Sequence, residues 1–199
     1  MPLLESRAPS DPILLFRRWY REAERAGAPQ PDAMTLATAG PGCTPSARMV
    51  LFKGIEGDAF LFYSNYDSRK GRDLATNKKA ALVFYWSVTR HQVRVSGTVK
   101  RISRAASLAY FHSRPRGAQL SALASRQSRV VTSRAVLEHA VAALDRQHPT
   151  AVPLPSDWGG YSLRPAWMEF WESRTDRLHD RLRYVRLRGG VWRAERLAP

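Results

Sequence analysis

The order of its apolar segments constrains this chain most. A helix-type pattern comes first, then several short strand-type runs, then helix-forming sequence, then strands again. The regular strand–helix alternation of a doubly wound parallel sheet is absent. The order predicts a mainly β fold, a predominantly antiparallel barrel with peripheral helices. A length of 199 residues suits one domain spanning 1–199, with a short N-terminal tail over 1–10.

Asp11-Pro12 reads as a helix start, a capping carboxylate followed by proline in the first turn. Ile13, Phe16, Trp19, Tyr20 and Ala23 follow at helical spacing, and Gly27 ends the pattern. Met34–Ala39 and Ala47–Lys53 flank Gly40-Pro41-Gly42 as a hairpin. Phe60–Ser64 reads as a strand, Ser68–Thr76 as a helix capped by Ser68, and Gln92–Val99 as an alternating strand. Ala80–Trp86 is apolar throughout, the pattern of a strand buried on both faces. Helical composition covers Ser103–Phe111, Gln119–Ala124 and Ser133–Gln147. After the loop Pro153–Gly160, strands are expected at Tyr161–Leu163, Trp167–Trp171, Arg181–Arg188 and Val191–Arg196.

The net charge is +15, and only Lys53, Lys70, Lys78, Lys79 and Lys100 contribute lysine. The excess is therefore arginine, which suits bidentate contact with phosphate or carboxylate. These arginines are spread along the chain rather than gathered into a nucleic-acid-binding tail. No apolar run approaches a membrane span, and no secretory pattern opens the chain, so a cytoplasmic protein is expected. Cys43 is the single cysteine, read as an inert surface thiol in a hairpin loop. The five histidines lack paired spacing, so no metal site is expected. Dinucleotide, P-loop, zinc-protease and serine-hydrolase motifs are also missing. If the chain is an enzyme, a bound cofactor supplies the chemistry.

Four basic and polar clusters remain. Arg48 and Lys53 differ in parity, so a regular strand would point them to opposite faces unless it bends. Tyr63 to Lys70 marks a strand running into a helix, where free N–H groups, a hydroxyl, Arg69 and Lys70 suit a phosphate. The third cluster joins Tyr110, Arg114 and Arg116 with Gln127 and Ser128. In the fourth, Arg177, His179 and Arg181 alternate along an extended segment, on one face.

Their order and spacing resemble the pyridoxamine 5'-phosphate oxidase family from about Asp11 to Pro199. The pieces are RMVLFKG, YSNYDSRKG, YFHSRPRG, SRQS, PLPSDWGGY, EFW and RLHDR. The resemblance implies an FMN-binding split β-barrel and a homodimer with two FMN sites at the interface, each lined by both chains. It also implies oxidation of pyridoxamine or pyridoxine 5'-phosphate to pyridoxal 5'-phosphate, with O2 as acceptor and hydrogen peroxide released. FMN would be held by Arg48, Met49, Val50, Lys53, Tyr63, Ser64, Arg69, Lys70, Gln92, Gln127, Ser128, Trp171 and Arg181. Lys53, Tyr110 and Arg114 would clamp the substrate phosphate. Arg177 and His179, the implied catalytic pair, would lie over the substrate ring. Hydride would pass from the substrate to the flavin.

Three departures fall on the substrate side. Ala118 stands where the family usually has serine, Leu123 replaces a tryptophan, and an N-terminal Arg-Arg-x-Tyr segment is missing. They raise an alternative within the same fold: a flavin oxidase of reduced phenazine carboxylic acids. A basic nucleic-acid-binding or flavin-storage protein without turnover is the reading from another class; the co-occurrence of cofactor and substrate motifs argues against it, so no nucleic-acid or membrane partner is expected.

Overall fold

The computed structural model describes residues 3–5 and 8–199. Part of the expected tail, residues 1, 2, 6 and 7, lies outside the described residues. Helix α1 (Pro12–Arg25) starts as expected: the Asp11 carboxylate accepts from the Ile13 amide at 2.9 Å. Its stripe enters the core, where the Phe16 ring meets Phe52, Phe60 and Phe84 at centroid distances of 5.4, 4.8 and 5.0 Å.

Strands β1 (Ala33–Ala39) and β2 (Pro45–Leu51) form the hairpin, turning through Gly42 at φ +71°. β2 lies two residues earlier than expected. Beyond Leu51 the chain leaves β1, and the Lys53 amide donates to Leu61 O at 2.8 Å. The two-residue β3 (Ile55–Glu56), too short for a periodicity to reveal, pairs with β4 (Ala59–Asn65). Then come α2 (Arg69–Thr76), β5 (Lys79–Trp86) and β6 (His91–Arg101). Three helices follow: α3 (Arg104–Ser113), α4 (Arg116–Ala124) and α5 (Arg134–Gln147). Pro115, lacking an N–H, separates α3 from α4. Strands β7 (Trp158–Glu172), β8 (Asp180–Arg186) and β9 (Trp192–Arg196) complete the chain.

All strand pairings among the described residues are antiparallel. The sheet runs β2-β1-β5-β6-β7-β4-β3, with β8 and β9 branching from β7. The branch divides one strand between two partners: residues 158–163 of β7 pair with β4, and residues 167–172 pair with β8. The bonds between Leu61 and residues 53–54 bring the end of β2 to β4, so the sheet curls back toward its own start. This is the mainly β, split-barrel architecture expected from the sequence.

β7 is one strand where two were expected. Pro165 interrupted the pattern, but it sits at a bulge where the β6–β7 register shifts between Ser96 and Gly97. A Cβ on Gly97 would stand 2.0 Å from Arg164 O. Gly97→Ala is therefore expected to cost about 3 kcal/mol of stability, read as a lower urea midpoint. Gly117→Ala, with nothing within 4 Å of the added Cβ in α4, is the matched control and should be neutral or stabilising. Equal midpoints for the two variants would refute the close-approach explanation.

β5 also departs from expectation. Ala80, Leu82, Phe84 and Trp86 are buried, but Ala81 and Val83 are half-buried and Tyr85 is 59% exposed. The strand buries one face, and its outer face, apolar at Ala81, Val83 and Tyr85, is only partly covered by the described residues. No helix among the described residues is long and apolar enough to cross a membrane.

Candidate functional site

The site begins where β4 gives way to α2. Asn65 Oδ1 accepts from the Asp67 amide at 2.8 Å, while its Nδ2 donates to Asp157 at 2.7 Å, fixing the turn. Ser68 caps the helix, its Oγ accepting from the Gly71 amide at 3.3 Å. Gly71 is needed because a Cβ there would lie 2.1 Å from Tyr66 O. The loop after α4 docks on this start: the Arg69 amide donates to Ser128 Oγ at 3.2 Å, and Lys70 Nζ donates to Gln127 Oε1 at 2.8 Å. Lys70 is only 9% exposed. Burial, then the charge of Arg48, push its ammonium down to about 8.

Arg48 reaches the same place from β2. Its guanidinium donates to Thr38 Oγ1 at 2.7 Å and Ser46 Oγ at 2.6 Å. Thr38 in turn donates to the buried Asp73 at 2.7 Å. The opposite wall is aromatic. Tyr63 and Tyr110 stack at 3.7 Å, Trp158 lies parallel to both, and the Arg114 guanidinium sits 4.8 Å from the Trp158 ring centre. Arg114 Nη1 is buried with no hydrogen-bond partner among the described residues. Burial lowers the pKa of this guanidinium, opposed by the nearby Tyr110.

These groups surround a cleft of about 1020 Å³. Ten of the thirteen residues expected to hold the cofactor line it: Arg48, Met49, Val50, Lys53, Tyr63, Ser64, Arg69, Lys70, Gln127 and Ser128. Of the substrate residues, Lys53, Tyr110 and Arg114 line it too, together with Ala118. The bend after Leu51 is what lets Arg48 and Lys53 share one cleft despite their parity. Among the described residues the lining holds five cations and no Asp or Glu, so it favours an anion. Two of them are partly neutralised from behind the wall: Lys53 pairs with Asp32 at 2.8 Å, and Arg48 lies 3.8 Å from Asp73. Leu123 is not on the wall; it packs behind it with the Phe111–Trp158 cluster.

The other expected residues gather elsewhere. Gln92, Trp171 and Arg181 are cross-strand partners in β6, β7 and β8, on the sheet face opposite the buried Val93, Phe170 and Leu182. Arg181 pairs with Glu169, itself 4% exposed, at 2.9 Å. The His179 ring lies 4.8 Å from that of Trp171. None of this second cluster lines the cleft. The expected alternation of Arg177, His179 and Arg181 along a strand is not observed. β8 starts only at Asp180, and Arg177, at φ +64°, ends a turn closed by its amide donating to Arg174 O at 3.4 Å, so 177–179 precede the strand.

Two site features escaped the sequence reading. Trp158 lay unremarked inside PLPSDWGGY, and Thr38 and Asp73 are far from Arg48 in the chain. Among the described residues no three His, Cys, Asp or Glu side chains group as a metal site.

Comparison with known proteins agrees with this geometry. Residues 20–148 match the family model described as pyridoxamine 5'-phosphate oxidase, and residues 158–199 match that of the pyridoxine 5'-phosphate oxidase C-terminal dimerisation region. The pyridoxine/pyridoxamine 5'-phosphate oxidase of Salinibacter ruber is 54% identical over 95% of this chain and 89% of its own. That of Rubrobacter xylanophilus is 52% identical over 99% of this chain and 91% of its own. Among solved structures, PhzG from Burkholderia lata, in complex with tetrahydrophenazine-1-carboxylic acid, superposes with a TM-score of 0.93. It is 34% identical and the match covers 100% of this chain and 98% of that one.

Proposed function

The chain belongs to the pyridoxamine 5'-phosphate oxidase family, and from that premise we propose that it oxidises pyridoxamine or pyridoxine 5'-phosphate to pyridoxal 5'-phosphate, with FMN as its flavin and O2 as acceptor. Hydrogen peroxide is the second product. The observation that carries this reading is a cleft with, among the described residues, five lining cations and no acid, one of the cations being Arg114, whose buried Nη1 has no partner there. Such a group costs stability until an anion accepts from it.

The donor set fits FMN. Arg69, Lys70, Ser128 and the start of α2 offer charge and N–H groups to its phosphate, while Met49, Val50 and the Gln127 amide suit a flat ring with polar edges. When bound there, FMN would supply the two-electron redox chemistry between substrate and O2. The chain's own work is to bind and orient. Arg114 and Lys53 hold the substrate phosphate, Tyr110 and Trp158 keep Arg114 in place, and Arg177 and His179 cover the substrate ring.

Arg177, His179, Gln92, Trp171 and Arg181 lie outside the cleft, and the matched C-terminal region is a dimerisation region. Both facts support a homodimer in which each site takes the cleft from one protomer and the Trp171 cluster from its partner. The exposed apolar Met49, Leu51 and Tyr85 give such an interface its substance. At an FMN concentration that loads the wild type but leaves Lys70→Met empty, mixing Lys70→Met protomers with Trp171→Ala protomers should then restore about a quarter of wild-type activity after subunit exchange, since half the dimers are mixed and each has one intact site. Activity no greater than that of the separate variants would mean that one chain builds the whole site.

The oxidase reading is tested by mixing FMN-loaded protein anaerobically with pyridoxamine 5'-phosphate. Flavin absorbance at its visible maximum should bleach, then return in air with pyridoxal 5'-phosphate formed. Ala118 and the likeness to PhzG support a second reading, oxidation of a reduced phenazine carboxylic acid. Bleaching by that acid alone would favour it.

A further inference from the structure

The turn that carries Arg177 and His179 is held by a chain of alternating charges. The Arg174 guanidinium binds Asp180, with Nε to Oδ2 at 2.7 Å, and lies 3.5 Å from Glu172. Asp180 accepts again, from Arg196 Nη1 at 2.8 Å, and Arg196 pairs with Glu5 at 2.5 Å. Arg174 is thus fastened across the turn to the first residue of β8. Its backbone completes the closure: the Arg174 amide donates to His179 Nδ1 at 3.0 Å. Arg177 sits inside the loop so closed, at φ +64°, a conformation that costs a non-glycine residue energy and that surrounding contacts must enforce.

An amide N–H can donate only to an unprotonated ring nitrogen. The Arg174 amide therefore selects the His179 tautomer with its proton on Nε2. The far edge of the ring is then a hydrogen-bond donor rather than a base. We infer that Arg174, clasped to Asp180, is a positioning residue that presets both the turn of Arg177 and the Nε2–H tautomer of His179. Its role rests on the proposed placement of Arg177 and His179 over the substrate. The tautomer itself does not.

The experiment uses the FMN-loaded protein with ¹⁵N-labelled histidine, and pyridoxine 5'-phosphate as substrate. In the wild type, His179 should show an unprotonated Nδ1 and a protonated Nε2. In Arg174→Ala, whose side chain no longer ties the amide in place, the two nitrogens should move toward the mixture of a free imidazole. The anaerobic rate of flavin bleaching should fall about 10- to 100-fold, the scale of a small misplacement of reacting groups, with flavin content unchanged. Arg174→Lys, which keeps a charge-assisted bond to Asp180, should recover most of the rate. A wild-type His179 protonated on Nδ1 would overturn the inference, as would an Arg174→Ala protein with unaltered nitrogen shifts and rate. If the wild type bound FMN but failed to bleach, the oxidase reading would fail while the nitrogen shifts still decided the tautomer.

Discussion

Arg114→Ala should raise the KM for pyridoxine 5'-phosphate about 100-fold, the equivalent of about 3 kcal/mol for a hydrogen-bonded charge pair, with kcat little changed. The reasoning starts from an imbalance. The half-buried Arg114 guanidinium is held over Trp158 and near Phe111, and its buried Nη1 has no acceptor among the described residues. A fold tolerates that cost where a ligand relieves it. The phosphate is remote from the bond being broken, so its contact stabilises ground state and transition state alike and appears in KM. Unphosphorylated pyridoxine provides the control: its KM should be unaffected by the substitution. A loss shared equally by the two substrates would mean that Arg114 supports the wall and does not meet the phosphate.

The second large effect concerns Lys70. Lys70→Met should weaken FMN binding about 10- to 100-fold at pH 7, since it removes one charged hydrogen bond worth about 1.5–3 kcal/mol. It should also flatten the pH dependence. Burial, then the charge of Arg48, push the Lys70 ammonium down to about 8. Only its charged form attracts a phosphate, so wild-type affinity is full below that value and declines as pH rises through it. The decline should then be traceable to Lys70. Fluorescence titration of FMN between pH 7 and 9.5 gives the slope. A slope that persists in Lys70→Met would assign the titration to another group.

Much of the fold could be read in advance where local chemistry decides the outcome. Asp11 and Ser68 cap the helices they were expected to cap, and the hairpin at Gly42 stands where glycine allows a positive φ. Long-range contacts decided the rest. The end of β2 is set by Leu61, ten residues away from Leu51, and the bulge at Pro165 is set by Gly97 on the neighbouring strand. The apolar run in β5 looked buried on both sides because sequence cannot distinguish a core from a face that another molecule covers. The cleft was legible as residue types around α2 and at Arg114. What was not legible is its division into two groups, or the turn at 174–177, which Arg174 ties to Asp180.

β7 joins those two groups within one element. Trp158, at one end, stands in the cleft, and Trp171, near the other end, belongs to the second cluster. Thirteen residue steps of extended chain cover about 40 Å. If each cluster serves a different site of the dimer, the same strand touches both, and its covalent length sets the spacing between them. The two reaction centres would then be held apart by a strut rather than by loops, and an insertion anywhere along it would push one centre out of alignment while leaving every side chain of both centres unaltered.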